Sequence, residues 1–575
     1  MALWQIITHR PRPDSGRGLI LFKSYGWLVL LVVLLTGLKI VLAEVLPLTA
    51  IGGSIYDDQL FLQLGHNLAK GIWLGDYDAQ LLMKGPGYPL FLAINERLGL
   101  PLLASQHLCY SAAILLFLAA VRPLVPSGFQ LSLLAGLLLF NPHAFDIQLL
   151  RVNRDGFYPA LTLWVFASAI GLLTSLRELR GSRWVWAISM GVSMSWFWIT
   201  REEGPWILPT LAILASPLVV DTVKGQHPQR GRILATVLVA VLLAAVGPFL
   251  VGALNQQKFG VFYVSEHQAP PMQAAYGALT RVAHERWRPK ILLPKDAREK
   301  IYVVSPAFAE MRPYLEGAGG AAWAAVSAYT LSEEERGEVS GGWLIWAIRG
   351  GADALGYHQS APRAMDYYSQ IAREVNAACE QRQLDCLPPR VSVVAPWRRE
   401  YLALLAEQFT ESLVGLISYT YVEIRPEPST GNQQTQRFFA AATHNRLAPL
   451  AQDYVSGTAL LSGNEAFKVK ILQKILKLYQ LIVPVLFVTA LFCCLVNLVR
   501  DVAARKVSLL TLVNIALMTA VVVRLLLLSY LQVSGFSTPR YWAPLYPLVL
   551  ILCLLPVAQR YSAIRNQWQR RVSMP

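Results

Sequence analysis

Long apolar segments separated by short polar ones fill both ends of this chain, and a more polar stretch, residues 254–474, lies between them. A helix of roughly 20 apolar residues can cross the hydrocarbon core of a bilayer, so the pattern predicts an all-α polytopic membrane protein with about ten spans. The predicted spans lie near residues 27–46, 104–122, 128–146, 157–175, 183–200, 204–220, 233–253, 475–498, 507–530 and 541–558.

A polar and strongly patterned segment, residues 54–93, follows the first span. It opens with the paired acids Asp57 and Asp58 and closes with Lys84 and a Gly-Pro-Gly-Tyr-Pro turn. Between them an apolar side chain recurs every fourth residue, which is typical of a helix lying on a membrane interface. The stripe consists of Leu60, Leu64, Leu68 and Ile72. We interpret the segment as a juxtamembrane active-site loop.

The positions of the basic residues predict which side each loop faces. Arg10, Arg12, Arg17 and Lys23 precede the first span, and such residues stay in the cytoplasm. Alternation of the spans then places four further basic segments on the cytoplasmic side, including the C-terminal tail: residues 177–183, 224–232, 500–506 and 560–571. The opposite, extracytoplasmic side receives residues 54–93, 147–155, 201–203, 254–474 and 532–541.

The pattern divides the chain into three parts. Residues 1–253 form a seven-span module with a first outer loop at 47–103, and residues 475–575 form a three-span module with the cytoplasmic tail. Residues 254–474 are numerous enough for a separate outer domain, which we expect to be mainly helical, with helices at 363–379 and 401–421.

Cysteine positions suggest a covalent link in the outer domain. Cys379 and Cys386 are the pair outside the predicted spans, and they lie on the face expected to be oxidising. Cysteines on that face tend to pair, so we predict a disulfide between them; the alternative is two free buried thiols.

Composition agrees with a membrane protein and excludes other classes. Hydrophobic residues make up 54 % of the chain and charged residues 15 %, against about 25 % in soluble domains. The formal charge of +15 could suggest nucleic-acid binding, but the basic residues cluster in short loops between apolar spans. Gly-rich nucleotide-binding loops, HExxH and metal-type cysteine clusters are missing from the sequence. We therefore expect an activated donor, if there is one, to be carried by a lipid.

Carboxylates on the predicted outer face are the candidate catalytic groups. Asp57 or Asp58 could act as a general base or ligate a divalent cation. Adjacent helical positions point about 100° apart, so we expect only one of them to face the site. Asp155 could be a second carboxylate across a cleft. The alternative for all three is helix capping, for Asp155 together with Pro159.

Cations on the same face could bind phosphate. Arg201 stands beside Glu202 and Glu203 in an outer turn, and a guanidinium binds phosphate through two hydrogen bonds. Lys84 and Arg540 lie on the same predicted face, and Arg524 lies within a span, where a charged group usually faces a cavity. The alternatives are a turn that needs polar residues and side chains that reach the headgroups. His267 is a weaker candidate.

The order of these motifs resembles the GT-C superfamily of membrane glycosyltransferases, such as protein O-mannosyltransferases, lipid A aminoarabinose transferases and oligosaccharyltransferases. The first seven spans and the last one carry the resemblance. The similar segments are YDDQLFLQLGHNLAKG, KGPGYPLFLA, NRDGFYPALTL, TREEGPWILP and PRYWAPLYP. Two features depart from the pattern: Lys84 stands where some relatives have His, and the acid pair leaves open which Asp is catalytic.

The resemblance implies a mechanism and a set of site residues. The donor would be a polyprenyl-phosphate-linked sugar, and Asp57 or Asp58 would deprotonate an acceptor that attacks the anomeric carbon with inversion. Asp155 would orient the acceptor or, with Asp57, hold a metal. The phosphate would be held by Lys84, Arg201 and Arg540. Further substrate contacts are expected from Tyr88, Glu202, Glu203, His267 and Tyr541.

Two rival functions use the same observations. A transporter of a lipid or glycan would also place charges near the membrane, although transporters often carry internal repeats that this sequence lacks. A noncatalytic envelope-assembly scaffold would leave the acids without a role. The prediction is a multi-pass protein of the inner (plasma) membrane whose acceptor is a glycan, a lipid or a protein.

Overall fold

The fold is known from a computed structural model, which describes residues 17–125, 127–177, 180–223, 229–284, 288–453 and 461–572. Arg10 and Arg12, and parts of the basic segments 177–183 and 224–232, lie outside the described residues. The helices are α1 Arg17–Ala43, α2 Asp58–Ala69, α3 Gly87–Leu98, α4 Leu102–Val121, α5 Gly128–Leu139, α6 Tyr158–Arg177, α7 Arg183–Thr200, α8 Leu208–Val223, α9 Arg230–Phe259, α10 Pro270–Thr280, α11 Lys295–Val304, α12 Pro306–Ala309, α13 Arg312–Leu315, α14 Ala318–Ser327, α15 Gly341–Ala354, α16 Ala361–Glu380, α17 Tyr401–Ile417, α18 Gln433–Thr443, α19 Gly463–Ala503, α20 Leu509–Ser534 and α21 Leu545–Val572.

The prediction of an all-α membrane fold is confirmed for the part of the chain that the structure describes. Extended segments there form only isolated bridges, such as Leu48 with Leu447 and Ile51 with Thr430. Seven helical segments within these residues are long and apolar enough to cross a membrane. They are Gly26–Ala43, Leu102–Val121, Arg154–Arg177, Arg230–Phe259, Gly463–Ala503, Leu509–Ser534 and Leu545–Arg565.

Three of the ten predicted spans are not in that set, so the span count stays a prediction. The predicted span 183–200 is a helix with those bounds, α7, and it packs between α6 and α9. The span 204–220 is shorter, a 3-10 turn followed by α8. The span 128–146 is interrupted: α5 has 12 residues, which rise about 18 Å against a hydrocarbon core of about 30 Å.

The early end of α5 has a local cause. Asn141 and Pro142 follow the helix, and the Asn141 side chain accepts a hydrogen bond from the His143 N–H at 3.2 Å. Proline has no N–H to continue an α-helical hydrogen-bond ladder, so the chain turns into the 3-10 helices Pro142–Phe145 and Ile147–Leu149. This irregular stretch leads directly to the turn that carries Asp155.

Two apolar clusters organise the molecule. The larger one joins the membrane helices and also includes Leu416 and Phe439 from α17 and α18. The second lies among α10, α11, α15 and α16 of the predicted outer domain, with Met272, Ile348 and Tyr368 fully or almost fully buried. The C-terminal part of that domain thus packs on the membrane helices, while its N-terminal part has a core of its own.

The predicted outer-domain helices at 363–379 and 401–421 correspond to α16 and α17. Cys379, near the end of α16, forms a disulfide with Cys386. Cys386 lies in an isolated antiparallel bridge with Val282, just after α10. The disulfide therefore fixes the chain at the point where α10 and α16, which pack against each other, come to an end.

The apolar stripe of α2 is buried in protein and does not lie on a membrane surface. Leu60 and Leu64 pack in a cluster with Leu81 and Phe259, and Leu68 packs against it. Ile72 follows the helix and is 46 % exposed. The period of four was correctly assigned to a helix, but periodicity does not distinguish a protein partner from a lipid one.

Candidate active site

A cavity of about 730 Å³ lies where the polar turns of the membrane helices meet the predicted outer domain. Most of the site residues expected from the sequence line it, although they come from segments far apart in the chain. Those lining residues are Asp57, Lys84, Asp155, Arg201, Glu202, Glu203, His267, Arg540 and Tyr541. Asp58 and Tyr88 are not among the lining residues.

Short capped turns hold the charged side chains in place. Asp155 lies in the 3-10 turn Arg154–Gly156, where Asn153 Oδ1 accepts a hydrogen bond from the Asp155 N–H at 3.1 Å. Arg540 lies in the 3-10 turn Pro539–Trp542, where Thr538 Oγ1 accepts one from the Arg540 N–H at 3.2 Å. Asn and Thr favour such caps because their short side chains reach the nearby backbone.

Asp57, Lys84 and Arg540 form an ion-paired group on the cavity wall, which we name the open cluster. The Asp57 carboxylate accepts hydrogen bonds from Lys84 Nζ and, at 2.7 Å, from an Arg540 terminal nitrogen. Asp57 stands at the N-cap position of α2, but its side chain makes no capping hydrogen bond. The capping alternative therefore does not describe Asp57.

Asp58, Ser54 and Arg151 form a second group, the closed cluster. The Asp58 side chain is fully buried and binds Arg151 through both oxygens, at 3.0 Å and 2.6 Å. Ser54 Oγ donates to the same carboxylate at 2.9 Å. Because Asp58 does not line the cavity and its oxygens are engaged, we separate it from the candidate base.

Asp155 lies deeper, between two guanidinium groups. Arg201 donates to its Oδ1 at 2.5 Å, and Arg540 Nε lies 3.5 Å from its Oδ2. Arg201 is 2 % exposed and lies over the rings of Tyr158 and Tyr541, at 5.2 Å and 4.9 Å from their centroids. Arg540 therefore links the two candidate carboxylates, Asp57 and Asp155.

The acids next to Arg201 point in different directions. Glu202 accepts hydrogen bonds from the Gly85 N–H at 3.0 Å and from Arg154 at 2.7 Å. Glu203 pairs with Arg201 Nε at 3.0 Å and with the buried Arg524 at 3.3 Å. Arg524 thus faces the site from inside α20, as expected for a charged residue within a span. Both glutamates are engaged in holding cations.

The surroundings shift the acidity of the open cluster. Burial alone would raise the pKa of Asp57, but Lys84 and Arg540 outweigh it and hold that pKa well below its ordinary value. Burial lowers the pKa of Lys84, although Asp57 opposes the shift. Burial also lowers the pKa of His267, against the opposing charges of Glu202 and Glu203. Asp57 is therefore ionised at neutral pH.

The two predicted tyrosine contacts differ. Tyr541 lines the cavity and packs against Arg201 and Arg540. Tyr88 is fully buried, with its ring edge-on to Phe61 and its hydroxyl 3.4 Å from Gln106 Nε2. Tyr88 therefore does not line the cavity, and its expected substrate contact stays a prediction. In the Gly-Pro-Gly-Tyr-Pro turn the Tyr88 side chain thus lies inside the protein, where a Tyr hydroxyl needs a partner.

A metal site does not fit these residues. Asp57 and Asp155, the pair expected to hold a metal if one is used, both contact Arg540, and each has a second cationic partner. Among the residues with described positions, no group of three or more His, Cys, Asp or Glu side chains is arranged to bind a metal ion. The reaction proposed below uses none.

Several residues that line the cavity were not predicted from the sequence. Arg151 and Arg154 were not among the expected site residues, but both line the cavity and pair with acids, Asp58 and Glu202. Tyr56, Trp343 and Trp346 also line it. Tyr56 adjoins Asp57 in sequence, which was an available signal; the two tryptophans lie far away in the chain and carried none.

The fold and the site define an all-α membrane protein with a charged cavity at one end of its membrane helices. No family model and no curated protein sequence matches this chain.

Two solved structures are similar to it over most of its length. One is the oligosaccharyltransferase AglB from Archaeoglobus fulgidus, in complex with an inhibitory peptide and a dolichol-phosphate, at 12 % identity and a TM-score of 0.39, covering 95 % of this chain and 52 % of AglB. The other is ArnT from Cupriavidus metallidurans bound to undecaprenyl phosphate, at 14 % identity and a TM-score of 0.30, covering 96 % and 81 %. The chain thus spans about half the length of AglB. Likenesses at these scores carry no argument, and the proposals below rest on the site.

Proposed function

We propose that the protein is an integral-membrane glycosyltransferase. It would move a sugar from a polyprenyl-phosphate-linked donor to an acceptor at the extracytoplasmic face, with Asp57 as the general base. The observation that carries the proposal is the cavity, which joins two candidate carboxylates to three candidate phosphate-binding cations from separate segments. The class of donor comes from the motif resemblance.

Spare hydrogen-bond donors support anion binding. In the described part of the chain, the buried Nε atoms of Arg201 and Arg540 lie 3.0 Å and 3.5 Å from oxygens of Glu203 and Asp155, but neither contact has the geometry of a hydrogen bond. Buried donors are costly when unpaired, and a phosphate oxygen would satisfy them. The charged residues that line the cavity are five cations, Lys84, Arg151, Arg154, Arg201 and Arg540, and four carboxylates, Asp57, Asp155, Glu202 and Glu203. The lining therefore has no net negative charge to repel a phosphate.

The proposed reaction is a single displacement. The acceptor hydroxyl or amine gives its proton to Asp57 as its oxygen or nitrogen bonds to the anomeric carbon. The bond between that carbon and the phosphate oxygen breaks, and its electron pair leaves with the polyprenyl phosphate. Because the pKa of Asp57 is low, the proton moves in step with bond formation rather than before it. Lys84 and Arg540 stabilise the charge that develops on the phosphate.

The proposal includes the orientation and the localisation predicted from the basic loops. Both termini would be cytoplasmic, and the cavity would open outside the inner membrane, where a lipid-borne donor is within reach. Asp155 would orient the acceptor. Glu202 and Glu203 would act by positioning Arg154 and Arg201, with which they pair.

The test is release of free polyprenyl phosphate from radiolabelled polyprenyl-phosphate sugars by the purified protein, with crude envelope acceptors present. Wild-type protein should release it, and Asp57→Asn should not. The matched control is Asp366→Asn, which changes an exposed acid on α16 that is not among the lining residues. No release from any donor would reject the transferase and favour the transporter or the scaffold. Equal release by Asp57→Asn would reject the base.

A further inference from the structure

An aromatic wall stands beside the open cluster. The ring of Tyr56 lies 4.7 Å from that of Trp346 and 6.2 Å from that of Trp343, measured between centroids. All three residues are half-buried and line the cavity. Trp323 of α14 is 8 % exposed and supports them from behind, 5.5 Å from Tyr56 and 5.9 Å from Trp343. We name Tyr56, Trp343 and Trp346 the aromatic platform.

Helix geometry and one buried ion pair fix the platform against the catalytic loop. Trp343 and Trp346 are three residues apart on α15 and so share a face. One turn further along, Arg349 pairs with the buried Glu266 and donates to the Ala79 carbonyl of the first outer loop at 2.8 Å. Tyr56 immediately precedes Asp57. The platform is therefore built at a set position next to the candidate base.

Amide side chains with unused hydrogen-bonding capacity line the same cavity. Gln273 Nε2 donates to the His267 carbonyl at 3.3 Å, and Gln268 Nε2 lies 3.5 Å from the Glu202 carbonyl. Their Oε1 atoms, and the whole side-chain amide of Gln148, make no hydrogen bond to the described residues. These amides can both donate and accept, which suits hydroxyl groups.

We propose that the aromatic platform and these amides bind a carbohydrate ring. A sugar ring has a face of C–H groups, which the electron-rich face of an aromatic ring attracts, and an edge of hydroxyl groups, which amides bind. A polyprenyl tail would leave the amides unpaired. The proposal rests on the proposed function and deepens it, because it gives the transferred sugar or a glycan acceptor a place next to Asp57.

The first experiment measures binding without turnover. Saturation-transfer NMR on the full chain in lipid nanodiscs, which avoid the sugar headgroups of maltoside detergents, would use chitobiose, mannobiose and galactobiose as probes at about 10 mM. At least one should bind. Trp346→Ala should weaken that binding about tenfold, the worth of one aromatic contact, and Trp346→Phe should restore most of it. The matched control, Trp184→Ala, changes an exposed Trp on α7 and should bind as wild type.

Binding of none of the three probes, or equal binding by wild type and Trp346→Ala, would overturn the proposal. Gln273→Ala, which leaves the aromatic core intact, should also weaken binding and covers the case in which Trp346→Ala does not fold. Binding of a tryptophan-rich peptide that depends on Trp346 and that none of the three disaccharides displaces would indicate a peptide site and reject the carbohydrate.

A second arm separates the two sources of the sugar. The competitors are a ten-carbon prenyl phosphate and the same phosphate carrying mannose. Displacement by the mannose conjugate alone assigns the platform to the donor sugar, and displacement by neither assigns it to the acceptor. Sugar binding that needs Trp346, in a protein that releases no polyprenyl phosphate, would keep the platform and reject the transferase. Release of polyprenyl phosphate whose KM values are all unchanged by Trp346→Ala would keep the transferase and reject the platform.

Discussion

Asp57 and Asp58 are consecutive residues in two contrasting environments. In the open cluster, Asp57 has a side chain 27 % exposed to the cavity and contacts two cations that come from distant turns. In the closed cluster, Asp58 has no exposed surface and is held by Arg151 and by Ser54, four residues before it in the chain. Asp57 precedes α2 with a non-helical backbone and Asp58 is the first residue of the helix, and their carboxylates lie in different places, one on the cavity wall and the other inside the protein.

This difference teaches that pairing with Arg does not by itself define a role. Both acids bind a guanidinium, yet only Asp57 has its carboxylate on the cavity wall; Asp58 is fully buried, although its partner Arg151 lines the cavity. The closed cluster instead links the polar segment 54–93 to the turn that carries Asp155, since Arg151 precedes that turn. We therefore expect changes in the open cluster to affect catalysis and changes in the closed cluster to affect stability.

The largest effect is expected from Asp57→Asn, which keeps the shape and removes the base. The rate constant kcat should fall about 10²–10⁴-fold, the usual contribution of general base catalysis. The midpoint of thermal unfolding should fall less than in Asp58→Asn, because Arg540 keeps Asp155 as a second carboxylate neighbour and Lys84 lines the cavity. Both quantities can be measured on one preparation. A large loss of stability with normal turnover per folded molecule would show that the open cluster serves stability and not catalysis.

The next effect is expected from Asp58→Asn. Removing the charge leaves Arg151 without its partner, and breaking such a buried pair should lower the free energy of unfolding by about 3 kcal/mol. Reversible unfolding in mixed micelles would measure it, with Asp366→Asn as the exposed control. A loss of kcat as large as that of Asp57→Asn in fully folded Asp58→Asn protein would contradict the division of roles.

Lys84→Arg tests the open cluster through pH. Burial lowers the pKa of Lys84 below its ordinary 10.5, so the lysine loses its charge at a lower pH than an exposed one. Above that pKa, kcat/KM for a phosphate-bearing donor should fall about tenfold per pH unit. Arginine stays charged, so the variant should lack this alkaline decrease. Identical profiles from pH 7 to 10 would show that Lys84 does not bind the donor as a cation.

The smallest effect is expected from Ser54→Ala, which removes the 2.9 Å hydrogen bond to the Asp58 carboxylate and two longer ones, at 3.4 Å, from the Asp58 N–H and from Arg151. The free energy of unfolding should fall by about 1 kcal/mol, and kcat should stay as in wild type. The same unfolding assay measures it. An unchanged stability would mean that Arg151 alone satisfies the Asp58 carboxylate.

Much of the fold and of the site is predictable because burying charge in a membrane is costly. Asp155, Arg201 and Arg540 stand between apolar spans, so their side could be assigned by alternation. That assignment itself stays a prediction, as do the span count and the domain boundaries. Cys379 and Cys386 could be paired because they are the cysteines outside the apolar segments.

The remaining features depend on long-range packing, which local patterns do not encode. The α2 stripe meets Phe259, not lipid, and Tyr88 points into the core. The choice between Asp57 and Asp58 depends on the direction of one helix relative to Arg151 and Arg540. Trp343 and Trp346 reach Tyr56 only through the docking of α15.

The ion pair between Asp57 and Arg540 joins residues 483 positions apart. On a ribosome that adds about 5–20 residues per second, roughly 25–100 s separate the synthesis of the two partners. During most of that time Asp57 and Lys84 have left the ribosome, but Arg540 has not yet been made. The cavity can be completed only when the last membrane helix is inserted, so a chain truncated before residue 540 carries the acid but not the assembled site.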